Sequence, residues 1–427
     1  MKTRIYGGKL LTRPGVSQAA EGEVWIEDSR ILMAGPADRK AAELAGPWDV
    51  EINASRCLVL PGFKNAHTHS AMTFLRSYAD DLPLQEWLTR AVFPLEAKLT
   101  PENIYDCSRL AVMEYLSSGI TANFDMYYEM PAAAKASEDC GFRTVFCGGV
   151  NDPYGSAEEI TALLKDWYER LNGNHPLISF RLGFHAEYTT CAENLKAIAE
   201  LAQELKAPVY THNSETRREV KECVGRYGMT PTAYLDSLGM FDFGGGGFHC
   251  NYLSEEDIEI FRERKLYIVT NPASNCKLAS GIAPLVEYDR AGIGLALGTD
   301  GPASNNCLDM FREMFLATAL QKLSRHDASA MDAGRVLRMA TEGGAMAMGL
   351  TDCLELAPGQ QADLILIDLD QPNMQPEYHL DKNLVYSGSK SNVKLTMVAG
   401  KVLYENGEYH IGADPEEIYA RAGRVLS

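Results

Sequence analysis

The chain is expected to form a (β/α)8 barrel carrying a small β-sandwich built from both of its ends, on the strength of two textures and one absence. Between residue 58 and about residue 350, eight short apolar runs alternate with segments of 3.6-residue apolar spacing, the pattern of strands linked by helices. At both ends the texture reverts to short alternating runs broken by Gly, Pro and Asp, which reads as sheet with tight turns. No Gly-x-Gly-x-x-Gly follows the first barrel strand, which removes the main dinucleotide-binding alternative. The expected division is 1–57 and 356–427 for the β-sandwich and 58–355 for the barrel.

Taken in order, residues 1–60 offer the runs Thr3–Tyr6, Val24–Glu27 and Ile31–Ala34, with Gly7–Gly8 and Asp28–Ser29 as hairpin turns. The expected barrel strands are Leu58–Lys64, Thr121–Met126, Arg143–Gly149, Ile178–Ala186, Pro208–Asn213, Gly246–Cys250, Leu266–Asn271 and Gly292–Thr299. Ile104–Leu116, Ala192–Leu205, Glu255–Arg264 and Ala330–Gly349 carry helical spacing between them. The four glycines at 244–247 lack the Lys-Ser/Thr of a phosphate loop and are read as the lead-in to the sixth strand. From Pro358 the β texture returns, and Lys394–Asn406 reads as two strands turning at Ala399–Gly400.

A net charge of −18 argues against nucleic acid or an anionic membrane as partner. There is no apolar run of membrane-spanning length and no leader-like start, so the cytoplasm is the expected location. The ten cysteines form no Cys-x-x-Cys pair, and are read as buried reduced thiols.

The chemistry is expected at the C-terminal ends of the strands, which converge on one mouth in a barrel. In PGFKNAHTHSAM, His67 and His69 stand at i and i+2 and project to the same face of a strand. Alone, such a pair says little. Three later strand ends complete it: His212 in VYTHNSET, His249 in FHCNYLS and Asp300 in LALGTDGPASN. His67, His69, His212 and Asp300 make a nitrogen-rich set with one anionic oxygen that suits Zn2+, with Fe2+ or Mn2+ as alternatives. Glu215, three residues beyond His212, is the expected proton shuttle, and His249 the group that polarises the atom under attack. His185, at the end of strand four, faces the same mouth as a substrate contact. His175, His326, His379 and His410 fall outside this pattern and are read as surface or structural.

The segments PGFKNAHTHSAMTFLRSYADDLPLQEWL, GITANFDMYY, THNSET, FHCNYLS, NPASNCKLASGIAP, LGTDGPASNN and PGQQADLILID together resemble the amidohydrolase superfamily over almost the whole chain. The nearest branch holds the cytosine, chlorohydrolase and adenosine-type deaminases, including the methylthioadenosine/S-adenosylhomocysteine deaminases. The resemblance implies one catalytic ion on His67, His69, His212 and Asp300, with Glu215, His249 and Asp300 in catalysis. It implies a hydrolytic deaminase of an adenosine derivative, the alternative being guanine, 8-oxoguanine, cytosine or a triazine as the heterocycle. Glu86 of the DDLPLQEWL segment would accept the ribose hydroxyls, Trp87 and residues 74–84 would form a lid, and His185 would contact the purine. A homo-oligomer is implied as well. Three positions depart from the branch: Gly148 stands where an Arg would hold a substrate carboxylate, Ala186–Glu187 replaces a small-Pro step, and Thr270–Asn271 stands where many relatives carry a His.

Overall fold

The computed structural model describes residues 1–36 and 39–426. Eight parallel strands follow one another around a sheet in chain order: Phe63–Thr68, Ile120–Tyr127, Arg143–Gly148, Ile178–Ala186, Val209–Asn213, Gly245–His249, Tyr267–Thr270 and Gly294–Leu297. They are buried almost throughout, as expected when helices cover the outside of a parallel sheet. Between the eighth strand and the first, the barrel is sealed mainly by side chains. Asn65 Nδ2 donates to Thr299 Oγ1 at 2.7 Å, Thr299 N–H to Asn65 Oδ1 at 2.8 Å, and Asp300 N–H to the carbonyl of His67 at 3.0 Å. That last bond ties the segment of Asp300 directly to the segment of His67.

Both ends of the chain build one nine-stranded mixed ladder. Glu408–Tyr409, Lys401–Glu405, Val393–Val398, Leu364–Asp368, Cys57–Pro61, Lys2–Leu10, Ala20–Glu27 and Arg30–Gly35 lie side by side, and Val50–Asn53 pairs with Lys2–Leu10. Its apolar filling (Ile5, Val24, Ile26, Val59, Leu364, Leu366) is a cluster separate from the barrel's.

Three elements differ from expectation. The run Leu58–Lys64 is two strands. Cys57–Pro61 pairs antiparallel with Leu364–Asp368 in the outer sheet, and the barrel starts at Phe63. Gly62 makes the switch: a Cβ there would lie 2.1 Å from Thr121 Cγ2, so only glycine passes. Gly7–Gly8 is a bulge inside one long strand, whereas Asp28–Ser29 does turn a hairpin, with Asp28 at φ +53°. The helical stretch 330–349 breaks into Ala333–Arg338, a π-turn over Met339–Gly343, and Gly344–Met348. The helix Ala192–Leu205 has the ends its apolar spacing gave it. Cys191 and Cys276 are exposed, and Cys57, Cys107, Cys140, Cys147, Cys223, Cys250 and Cys353 are buried; all ten thiols are free. Among the described residues, no helix is long and apolar enough to cross a membrane.

Candidate active site

The first strand delivers His67 and His69 side by side, with ring centroids 4.8 Å apart. The fifth delivers His212, the sixth His249, and the turn after the eighth Asp300. His67, His212, His249 and Asp300 offer ligand atoms that all lie within 4.8 Å of one another. His69 joins the same focus, its Nε2 3.2 Å from Asp300 Oδ1, while His67 Nε2 is 3.5 Å from that oxygen. The Nε2 of His249 lies 3.9 Å from the other carboxylate oxygen, Oδ2. Asp300 adopts φ +59° and His249 φ +68°, a backbone region that costs a non-glycine residue energy and recurs at functional sites.

Hydrogen bonds around the cluster set which ring nitrogens carry lone pairs. His69 Nδ1 faces the carbonyl of Met126 at 2.5 Å, and His212 Nδ1 that of His185 at 2.7 Å. A carbonyl only accepts, so both Nδ1 atoms carry the proton and both Nε2 atoms turn a lone pair inward. His249 Nδ1 likewise meets Asn275 Oδ1 at 2.8 Å, whose amide nitrogen donates to Asn251. His67 is fully buried, with no hydrogen bond at either nitrogen among the described residues. Burial pushes His67 down to about 3 and His212 well below the usual imidazole range, so both stay neutral. Burial also opposes charge on His69, yet the Asp300 carboxylate lifts it above the usual range. Asp300, despite burial, is held well below the usual carboxylate range by His67 and His69. Its Oδ2 accepts from Ser274 Oγ at 2.5 Å and Ser304 Oγ at 2.9 Å, which leaves Oδ1 to the imidazoles.

Imidazole nitrogens turned toward one buried carboxylate are costly unless a proton, which the raised His69 favours, or a cation lies among them. Nitrogen donors with one carboxylate oxygen suit a divalent ion of borderline softness. Hydrogen-bonded Nδ1–H groups behind the Nε2 donors are the usual support of such a centre.

Glu215 is buried beside the cluster. Its Oε1 accepts from Ser280 Oγ at 2.8 Å and lies 3.9 Å from His249 Nδ1. A second buried carboxylate holds the turn it stands on: Glu219 accepts the backbone N–H of Ser214 at 2.8 Å and of Glu215 at 2.7 Å. The cavity above is lined by His69, His185, His212, Glu215, His249 and Asp300, and closed by Leu84, Trp87, Leu88, Val92, Phe93 and Glu96. His185 is neutral, pushed down by burial to about 3, with Nδ1 3.0 Å from Thr189 Oγ1.

Two expectations need correction. Glu86 does not line this cavity: its side chain is 47% exposed and pairs with Arg90 at 3.0 Å. Glu96 is the carboxylate that does. It accepts from Tyr127 OH at 2.7 Å, and burial pushes it up to about 7. The signal for it was in the sequence, since Leu84, Leu88, Val92 and Glu96 fall at every fourth position, one face of a helix, and Glu86 falls outside that stripe. The segment that covers the cavity spans 84–96 and so runs further along the chain than the 74–84 expected of a lid. At Gly148 no side chain fits, because a Cβ would lie 2.5 Å from the carbonyl oxygen of Gly183. Arg143 is committed elsewhere, to Asp363.

The amidohydrolase family profile matches residues 58–403. The chain is 42% identical to a 5-methylthioadenosine/S-adenosylhomocysteine deaminase of Syntrophomonas wolfei, covering 94% of this chain and 93% of that protein. It is 40% identical to the protein of that name from Pelotomaculum thermopropionicum, over 98% and 96% of the two chains. The crystal structure of an adenosine deaminase from Xanthomonas campestris with bound zinc superposes with a TM-score of 0.93 at 34% identity, covering 99% of this chain and 97% of that one. Barrel, strand-end histidines and near-full-length kinship agree: the chain belongs to the amidohydrolase family.

Proposed function

We propose that the protein is a metal-dependent hydrolytic deaminase of adenosine-type nucleosides. One observation carries the reading: four imidazoles converge on Asp300, with His67 unpartnered at both nitrogens, under a cavity onto which Glu215 opens. The kinship with methylthioadenosine/S-adenosylhomocysteine deaminases points to the amino-bearing purine carbon as the atom attacked. His67, His69 and His212 would hold the ion with Asp300 Oδ1, because the Nε2 atoms of His67 and His69 face that oxygen while His249 faces Oδ2. When bound, Zn2+, or Fe2+ or Mn2+ in its place, supplies the Lewis acidity that makes water nucleophilic near neutral pH.

The chain's own groups move the protons. Glu215, with one oxygen held by Ser280, takes a proton from the attacking water and delivers it to the ring nitrogen beside the reacting carbon. Asp300 takes the second proton and passes it to the amino group, which leaves as ammonia. His249 supports the oxygen that gains charge as the carbon becomes tetrahedral. Glu96 accepts the ribose hydroxyls in the role expected of Glu86, and His185 with Trp87 contacts the base. The cavity holds about 50 Å3, room for a few waters only, so the 84–96 segment withdraws to admit a nucleoside. We place the enzyme in the cytoplasm, as a homo-oligomer acting on a small molecule without nucleic-acid or membrane partners.

The test is ammonia release by the zinc-loaded protein. Release from adenosine or 5′-methylthioadenosine supports the proposal; silence on both, and on S-adenosylhomocysteine, contradicts it.

A further inference from the structure

Beyond the lid, a second and larger chamber of about 620 Å3 adjoins the catalytic cavity, and Phe93, Glu96 and Tyr128 belong to the walls of both. Its other walls include Leu99, Ile104 and Tyr154, the last stacked on Tyr128 with ring centroids 5.5 Å apart. Its charged lining groups are all acidic: Glu96 in the shared wall, and Glu129 and Asp152, both exposed. Asp152 is partly satisfied, its Oδ1 accepting from Cys191 N–H at 2.8 Å and Asn194 Nδ2 at 3.0 Å. Glu129 stands at φ +47° ahead of the helix Met130–Cys140.

Resting on the deaminase reading, we propose that this chamber receives the 5′-substituent of the nucleoside and selects for a neutral, apolar thioether against a tail ending in a carboxylate. The geometry orders the two ends of the substrate. A ribose held at Glu96 puts the base over the histidines on one side of the shared wall and the 5′-carbon on the other. Aromatic and aliphatic walls favour alkylthio and arylthio groups. The homocysteine tail brings a carboxylate toward Glu129 and Asp152, where like charges repel and no guanidinium among the described lining residues repays desolvation.

The experiment compares kcat/KM of the zinc-loaded enzyme for adenosine, 5′-methylthioadenosine, 5′-benzylthio-5′-deoxyadenosine and S-adenosylhomocysteine. The expected result is that the benzylthio compound matches or exceeds adenosine, while S-adenosylhomocysteine falls below methylthioadenosine by about tenfold or more. Ala97 is exposed on the chamber wall, and Ala97→Trp should lower the benzylthio-to-adenosine ratio by about tenfold. Glu129→Gln should raise the S-adenosylhomocysteine-to-methylthioadenosine ratio about threefold or more. Turnover of S-adenosylhomocysteine equal to that of methylthioadenosine, or rejection of the benzylthio compound while adenosine is deaminated, overturns this inference alone. Absence of ammonia from all four compounds overturns the deaminase reading and this inference with it.

Discussion

The two ends of the barrel bury charge in opposite ways. At the floor, Arg143, Asp363 and Lys64 find their hydrogen-bond partners in the protein. Arg143 meets Asp363 through Nε at 2.7 Å and Nη2 at 3.1 Å, and Asp363 also accepts the N–H of Ala399. Lys64 is fully buried and donates to the carbonyl of Gly62 at 2.9 Å and to Thr121 Oγ1 at 2.8 Å. At the mouth, the inward Nε2 atoms of His67 and His69 face Asp300 Oδ1 at 3.5 and 3.2 Å, and neither nitrogen of His67 has a hydrogen bond among the described residues. The floor is finished without help and fastens the terminal sheet to the barrel. The mouth is complete only with a cation. Chemistry and stability have been divided between the two ends of one barrel.

The largest effect that sharpens this contrast belongs to the mouth. Glu215→Gln should cut kcat by about 100-fold or more, the lower end of the general acid–base range, with metal content and Tm unchanged; wild-type turnover would remove Glu215 from the mechanism. At the floor the reverse should hold. Arg143→Ala strands Asp363 in the interior and should cost about 3–5 kcal/mol in urea unfolding, while kcat per folded molecule stays within twofold or so. A drop in kcat as large as that of the Glu215 variant would erase the division.

Glu96 tests the mouth more gently. Glu96→Ala should reduce kcat/KM for a nucleoside by roughly 10- to 150-fold, the span of a hydrogen bond to a charged group of about 1.5–3 kcal/mol, and leave a free base far less affected. Burial raises its carboxyl to about 7, so the proton is held more tightly than in water and the accepting form is lost as pH falls below that value. The kcat/KM profile for nucleosides should therefore decline on its acid side from near pH 7, and that limb should vanish in Glu96→Gln. Persistence of the limb would assign it to another group. The smallest effect is expected at Glu86, where Ala should change stability and kcat/KM by no more than about 0.5 kcal/mol, as at an ordinary surface site.

Why some of this was legible in the sequence and some was not has a physical basis. Residues that must point a particular atom at the mouth sit at strand ends, where period two and chain order suffice to place them, and His67, His69, His212, His249 and Asp300 come together in one cluster. Residues carried by the 84–96 segment obey a helical period instead, and its every-fourth stripe runs to Glu96 and passes Glu86 by. The split of Leu58–Lys64 into two strands depended on a contact between Gly62 and Thr121, which local pattern does not encode. Glu219 was missed for a similar reason, since its work, holding the backbone under Glu215, appears only once the turn is folded.

The claim beneath all of this is that one ion fills the space left among the imidazoles and Asp300 Oδ1. Metal content and ammonia release should be measured together while the ion is withdrawn by a chelator and returned as zinc. One divalent ion per chain is expected, with release of ammonia from adenosine falling and recovering in step with it. Ammonia release that persists in ion-free protein would contradict it.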